Sequence, residues 1–330
     1  MTTTVVRALG ALAHRAAHAH PEAIRPRPED TCGCPPPSVL ADRADGTVVR
    51  SGPVVAKAHA SGTVLPDLLA RLALADDPRL NGILLAPLRP GPSPSSDAVQ
   101  GRPITLWPHG EPVDPGDPDA APWEEAAVLL ARLHLTPAPP AVALPPMRGP
   151  AKAAVAVARM RAARPDDAAT APVLAAWRRL PAWARDEAAA PAHRSHFLCH
   201  GDLHLGQLVR HPAPHGPWLL IDIDDAGLGD PAWDLARPAA WYAAGLLPPA
   251  VWLRFLDAYR WAGGPAVRAE DDPWPELDVP ARALTVQTAA LACAKSAAEG
   301  RTPDEVEQAM IDACARIATL PPELAAGSPS

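Results

Sequence analysis

The sequence predicts an α+β chain in two lobes: a small antiparallel sheet, then a larger and mainly helical part. Three observations carry this. Short β-rich runs crowd residues 38–59, and Asp45-Gly46 between the first two is a strong hairpin signal. From residue 122 onward apolar residues recur at helical spacing, as in Ala126, Leu129, Leu130 and Leu133. Within that helical part, residues 197–221 switch back to short strands and turns. The 330 residues are enough for two lobes and a sizeable core. The expected division is 1–111 for the first lobe and 112–330 for the second.

In order along the chain, residues 1–20 read as a short helix with Val5, Val6, Leu9 and Leu12 on an apolar side. Residues 21–37 are proline-rich and loop-like. They include Cys32-Gly33-Cys34, which has no second Cys/His pair nearby and reads as loop. Strands are expected at 38–42, 47–50 and 53–59, a helix at 65–74, and the last two strands of the first lobe at 82–88 and 102–107. The second lobe opens with a helix over 122–135, where Pro122-Trp123-Glu124-Glu125 makes a good first turn. Residues 137–150 form a stiff proline-rich linker. Helices follow at 151–163, 170–179 and 181–188, with a short strand at 197–199. The last helices fall near 231–244, 249–262, 277–298 and 303–318. Asp230 suits the cap of the first of these, beside Pro231 in its first turn.

The chemistry concentrates in His200-Gly201-Asp202-Leu203-His204-Leu205-Gly206-Gln207 and in Asp222, which follows the apolar run Trp218-Leu219-Leu220-Ile221. Asp202 can take a proton, Gln207 offers an amide five residues later, and Asp222 closes a strand. A protein-kinase catalytic loop has the same order: a base, a metal-binding amide at the fifth position, and a second metal-binding acid after a short hairpin. Phosphoryl transfer needs metal ions on the phosphate oxygens and a group that orients the attacking hydroxyl. Mg²⁺ prefers the oxygen ligands that an amide and a carboxylate provide. Asp224 would share a strand face with Asp222, so spacing leaves both open as the ligand. His200, His204, His211 and His215 could suggest a metal cluster, but Gly201 and the missing Glu disfavour it.

The segment from Asp222 to Ala236, with Asp230-Pro231-Ala232-Trp233-Asp234 at its centre, joins the His-Gly-Asp-Leu-His loop in resembling the aminoglycoside phosphotransferase/choline kinase-like family. That resemblance implies a protein-kinase-like bilobal fold that phosphorylates small molecules. It implies Asp202 as catalytic base, Gln207 and Asp222 as Mg²⁺ ligands, and Asp234 as the buried acid that bonds the catalytic loop. Separately, the N-terminus has no clear signal-peptide pattern and no apolar run is of membrane length, so a cytoplasmic protein is expected. Lys57, in Val54-Val55-Ala56-Lys57, resembles the third-strand lysine that holds the ATP phosphates. The helical Glu that usually pairs with it is missing, and Asp67 is the only acid in helix 65–74. Trp107 and His109 fall at the hinge where such folds bind adenine, while Pro108 has no N–H to offer. Most of the family has Asn where Gln207 stands. Some sugar-kinase branches are similar in carrying Gln, a hint towards a sugar-like acceptor. The acceptor stays open among a sugar, an aminoglycoside and an amino alcohol. The competing reading is a catalytically silent nucleotide-binding pseudokinase or regulatory module.

Composition narrows the alternatives. A net charge of −7 argues against broad nucleic-acid binding. No apolar run reaches the roughly 18–20 residues of a membrane span. The five cysteines, an odd number in a chain this long, do not form a disulfide framework. Forty-four prolines and heavy use of Ala and Arg reflect coding bias more than chemistry.

Overall fold

The computed structural model describes residues 2–19, 35–43, 46–88 and 99–320. Asp45 and the Cys32-Gly33-Cys34 stretch lie outside them. The chain divides into two compact units. One comprises Met1–Asp114, Ala141–Leu144 and Leu208–Asp224; the other Pro115–Pro140, Pro145–Gln207 and Asp225–Ser330.

The first unit opens with α1 (Thr2–Ala19) and a four-stranded antiparallel sheet in the order β1 (Ser38–Asp42), β2 (Gly46–Ser51), β3 (Val54–His59) and β4 (Ile104–Pro108). Arg43 and Gly46 exchange backbone hydrogen bonds and close the first hairpin. Val5, Leu9 and Ala13 recur every four residues on α1 and bury against Val49, Val54, Ala56 and Ala58. Val6 and Leu12 pack at the edge of this core. Each fully buried aliphatic side chain is worth about 1.5–3 kcal/mol. Because side chains alternate along a strand, filling one face of β3 with Val54, Ala56 and Ala58 puts Lys57 on the other.

Helix α2 (Leu65–Ala75) follows β3 with Pro66 in its first turn. Residues 82–88, expected as a strand, do not join the four-stranded sheet. Gly82 and Ile83 form a turn, after which Leu84 bridges to Leu220 and the Leu88 N–H bonds to the Leu106 carbonyl. Beyond β4, the two-residue β5 (Glu111–Pro112) pairs with β7 (Leu208–Arg210), which pairs in turn with β8 (Trp218–Leu220). The Arg210 guanidinium lies 4.6 Å from the centre of the Trp218 ring across that hairpin, a cation–π pair.

The second unit holds α3 (Trp123–Leu135), α4 (Gly149–Ala163), α5 (Ala171–Arg179), the two-stranded pair β6 (Phe197–Cys199) and β9 (Gly227–Gly229), and α6 (Ala232–Ala243), α7 (Pro249–Trp261), α8 (Trp274–Glu299) and α9 (Glu305–Thr319). The helix expected over 181–188 is a single 3₁₀ turn, Ala182–Arg185, which ends at Asp186 with a left-handed φ of 60°. The N-cap of α6 is Pro231, one residue later than the expected Asp230, because the helix itself starts at Ala232. The Asp230 carboxylate, just before the cap, still accepts from the Ala232 N–H at 3.0 Å. Ion pairs to Arg194 hold it there.

Candidate active site

In the second unit the loop from His200 to Gln207 leaves β6 through Gly201, whose φ of +83° suits glycine. Its close neighbours also require glycine: a Cβ there would sit 2.2 Å from the Asp225 carbonyl oxygen. Asp234, in the first turn of α6, fixes the loop by accepting backbone N–H bonds from His200 and Gly201, both at 2.7 Å. The buried Asp234 is held in turn by His134 of α3, whose Nε2 lies 3.0 Å from Oδ2. The Tyr259 hydroxyl accepts from the Ala266 N–H at 3.0 Å, and it lies 2.7 Å from His134 Nδ1. The consistent proton order is Tyr259 donating to Nδ1 and the Nε2–H donating to Asp234. Burial pushes the Asp234 carboxyl up, but His134 and the loop amides outweigh it and hold the group ionised.

Asp202 sits between two cations. Lys152 of α4 is 2.6 Å from Oδ2, and Arg237 of α6 is 2.6 Å from Oδ1. Lys152 also reaches Asp225 at 2.6 Å, and Arg237 Nε donates to the Leu203 carbonyl at 3.0 Å. Burial pushes the Asp202 carboxyl up, yet Lys152 and Arg237 prevail and hold it below its ordinary value. His204, two residues on, is lowered to about 4 by burial and by Arg237, so its ring is neutral at pH 7. The His204 Nδ1 accepts from the Gly206 N–H at 3.1 Å and tightens the loop before Gln207, which is buried.

In the first unit Lys57 Nζ is 2.6 Å from Asp222 Oδ1 and 3.0 Å from Asp224 Oδ2. Burial pulls the ammonium down, but the two carboxylates outweigh it and raise it above its ordinary range. Asp222 follows β8 with a left-handed φ of 65°, a conformation that Asp tolerates better than most residues. Burial raises the Asp224 carboxyl, but His59 and Lys57 lower it further. His59 Nδ1 is 3.1 Å from Asp224 Oδ2, its Nε2 is 2.9 Å from Thr105 Oγ1, and that oxygen accepts from the Trp107 indole N–H at 2.8 Å. Trp107 is 9% exposed in β4 and anchors this chain of bonds. The His109 N–H is taken by the Pro53 carbonyl at 2.7 Å, and the His109 carbonyl accepts from His211 Nδ1 at 3.1 Å. Burial and the Arg50 charge keep the His109 ring neutral.

A model of the phosphotransferase enzyme family matches residues 84–274, more than half of the chain. The chain belongs to that family. Its solved neighbours have a protein-kinase-like fold. A choline/ethanolamine kinase family protein from Mesorhizobium loti is 14% identical, with 97% of this chain and 96% of that one covered and a TM-score of 0.56. Choline kinase from Cryptosporidium parvum is 11% identical over 85% of this chain and 88% of that one, with a TM-score of 0.54. A spectinomycin phosphotransferase, solved with ADP and spectinomycin, is 14% identical over 85% and 93%, with a TM-score of 0.52. No curated protein matches the sequence. This phosphotransferase therefore has the two-lobed α+β fold of small-molecule kinases.

The donors in the phosphotransferase fit a hard cation. Asp224 Oδ1 is buried 3.1 Å from His59 Nδ1 and has no hydrogen bond of good geometry, so it keeps acceptor capacity. With Asp222 beside it in the same unit, the carboxylates offer only oxygen, as Mg²⁺ prefers. Four of the residues that organise the two carboxylate clusters were missed in the sequence: Lys152, Arg237, His59 and Asp225. One compositional signal was available. Lys57, Lys152 and Lys295 are the only lysines in a chain with 30 basic residues, and two of the three grip these carboxylates. Among the described residues no helix is long and apolar enough to cross a membrane.

Proposed function

We propose that the protein transfers the γ-phosphoryl group of ATP to a hydroxyl of a small molecule, drawn from sugars, aminoglycosides and amino alcohols. One observation carries this reading: Asp202, in the loop tied down by Asp234, is kept ionised by Lys152 and Arg237. An ionised carboxylate can accept a hydrogen bond from the incoming hydroxyl and aim its lone pair. Because its pKa is depressed, Asp202 is a weak base. It therefore acts first by orienting the nucleophile and takes the proton late, which suits the loose transition state of phosphoryl transfer.

Lys57 would steady the nucleotide phosphates, and exchanging its carboxylate partners for phosphate oxygens keeps its charge paired. Gln207 and Asp222 would hold Mg²⁺, with Asp224 close at hand in sequence. The bound ion would neutralise charge on the phosphate oxygens. Trp107 and His109 would meet the adenine, His109 through its neutral imidazole because its N–H is already bonded.

The test is ATP turnover by the purified chain over a panel of sugars, aminoglycosides and amino alcohols. Turnover with one class is expected, and Asp202→Asn should abolish it while Mg·ATP still binds. General-base removal of this kind typically costs about 10²–10⁴-fold in rate. Wild type that binds Mg·ATP yet phosphorylates no acceptor would favour a regulatory nucleotide-binding module.

A further inference from the structure

One face of α6 does three things in succession. Asp234 fixes the loop backbone, Arg237 one turn later grips Asp202 and the Leu203 carbonyl, and Pro238 and Trp241 in the next turn wall a cavity. The positions 234, 237, 238 and 241 share one side of a helix by their spacing. The opposite walls are Trp123 at the start of α3 and the loop residues that directly follow Asp202. The cavity is partly open and holds about 150 Å³. Drug-sized ligands occupy pockets of about 300–1,000 Å³, so this one takes a single ring.

Its chemistry is specific. Two indoles, Pro238 and two leucines make the lining largely apolar, and no carboxylate belongs to it. The charged side chain in the lining is the Arg237 guanidinium. A ligand cation would lose water here and gain no counter-charge, and it would face a guanidinium. Cation–π attraction to an indole is modest and has to work against the like charge already in the wall. The Asp202 charge is already matched by Lys152 and Arg237. An uncharged ring with a C–H face for the indoles and hydroxyls at its edge meets no such penalty.

We propose that this cavity is the acceptor site and that the acceptor group is an uncharged sugar ring, not a polycationic or quaternary-ammonium alcohol. The proposal rests on the kinase reading only for the word acceptor; the ligand class stands on the cavity itself.

The experiment is calorimetric titration of the full chain with methyl α-glucoside, maltose, kanamycin and choline. Binding of a saccharide is expected. It should weaken at least tenfold in Trp241→Ala and by a smaller factor in Trp241→Leu, which keeps apolar bulk but loses the flat face. Mg·ATP affinity should be the same in both variants, which also reports that they fold. Binding of kanamycin or choline in place of the saccharides overturns the proposal. So does a lack of binding by all four probes, or saccharide binding indifferent to both substitutions. A saccharide that binds through Trp241 but is never phosphorylated leaves the ligand class standing and removes the kinase reading.

Discussion

Lys57 on β3 and Asp222 after β8 stand 165 residues apart in the chain and 2.6 Å apart in space. Together with Asp224 they form an ion cluster in which one ammonium serves two carboxylates. This answers the missing helical acid. The lysine that would hold phosphates is paired with Asp222 and Asp224, while Asp67 lies near the start of a different element, α2.

Lys57→Met should therefore do two things. It leaves two like charges without their cation, which for a fully buried pair costs about 3–5 kcal/mol. Asp222 is 38% exposed, so solvent screening reduces the expected loss to about 1–3 kcal/mol. Urea denaturation reads that loss. Mg·ATP affinity, read by calorimetry, should fall in the same variant; unchanged affinity would separate Lys57 from the nucleotide.

Lys152 is expected to set the acid limb of turnover. Asp202 lies below its ordinary value because Lys152 and Arg237 outweigh burial. In Lys152→Met burial gains ground and the carboxyl titrates at a higher pH. The pH at which kcat falls off on the acid side should move upward, and Lys152→Arg should restore much of the shift. A limb that stays put in Lys152→Met would rule out this role. The stability sign follows from the same depression. A carboxyl lower in the folded state contributes stability above its unfolded value of about 3.9 and loses it as pH falls through the folded value.

His204 adds an effect of the same sign in a higher window. Its folded value of about 4 lies below its unfolded value of about 6.5. Between the two, the unfolded chain binds a proton that the folded chain refuses. Stability thus rises with pH across that interval and falls on acidification. His204→Gln should flatten the dependence of melting temperature on pH between 4 and 6.5. Parallel curves for variant and wild type would contradict the assignment.

Gly201→Ala should be among the costliest single substitutions in the protein. The φ of +83° and the 2.2 Å approach to the Asp225 carbonyl leave no room for a methyl group without moving the loop or β9's approach. Left-handed strain alone costs about 1–3 kcal/mol. Thermal denaturation should show at least that loss, and transfer activity should fall with it because Asp202 is the next residue.

Sequence alone determined the local features. Amphipathic stripes placed α1 and α3, the turn-rich run 211–217 placed the β7–β8 hairpin, and the loop from His200 to Gln207 carried its spacing intact. These depend on neighbours within a few residues, where backbone preference and periodicity act directly. Tertiary structure decided the partners. Nothing around Lys152 in its alanine-rich helix says that it meets Asp202 fifty residues later, and nothing near His59 points to Asp224. Trp123 and Trp241 line one cavity only because α3 and α6 both border the loop after Asp202. Charge pairing and cavity walls join side chains remote in sequence, and the energy that selects them comes from burial and Coulomb attraction after the helices pack. Residues 82–88 mark the boundary between the two kinds of information. Their apolar run suits a strand, but the backbone partner that settled their place was β8, far along the chain.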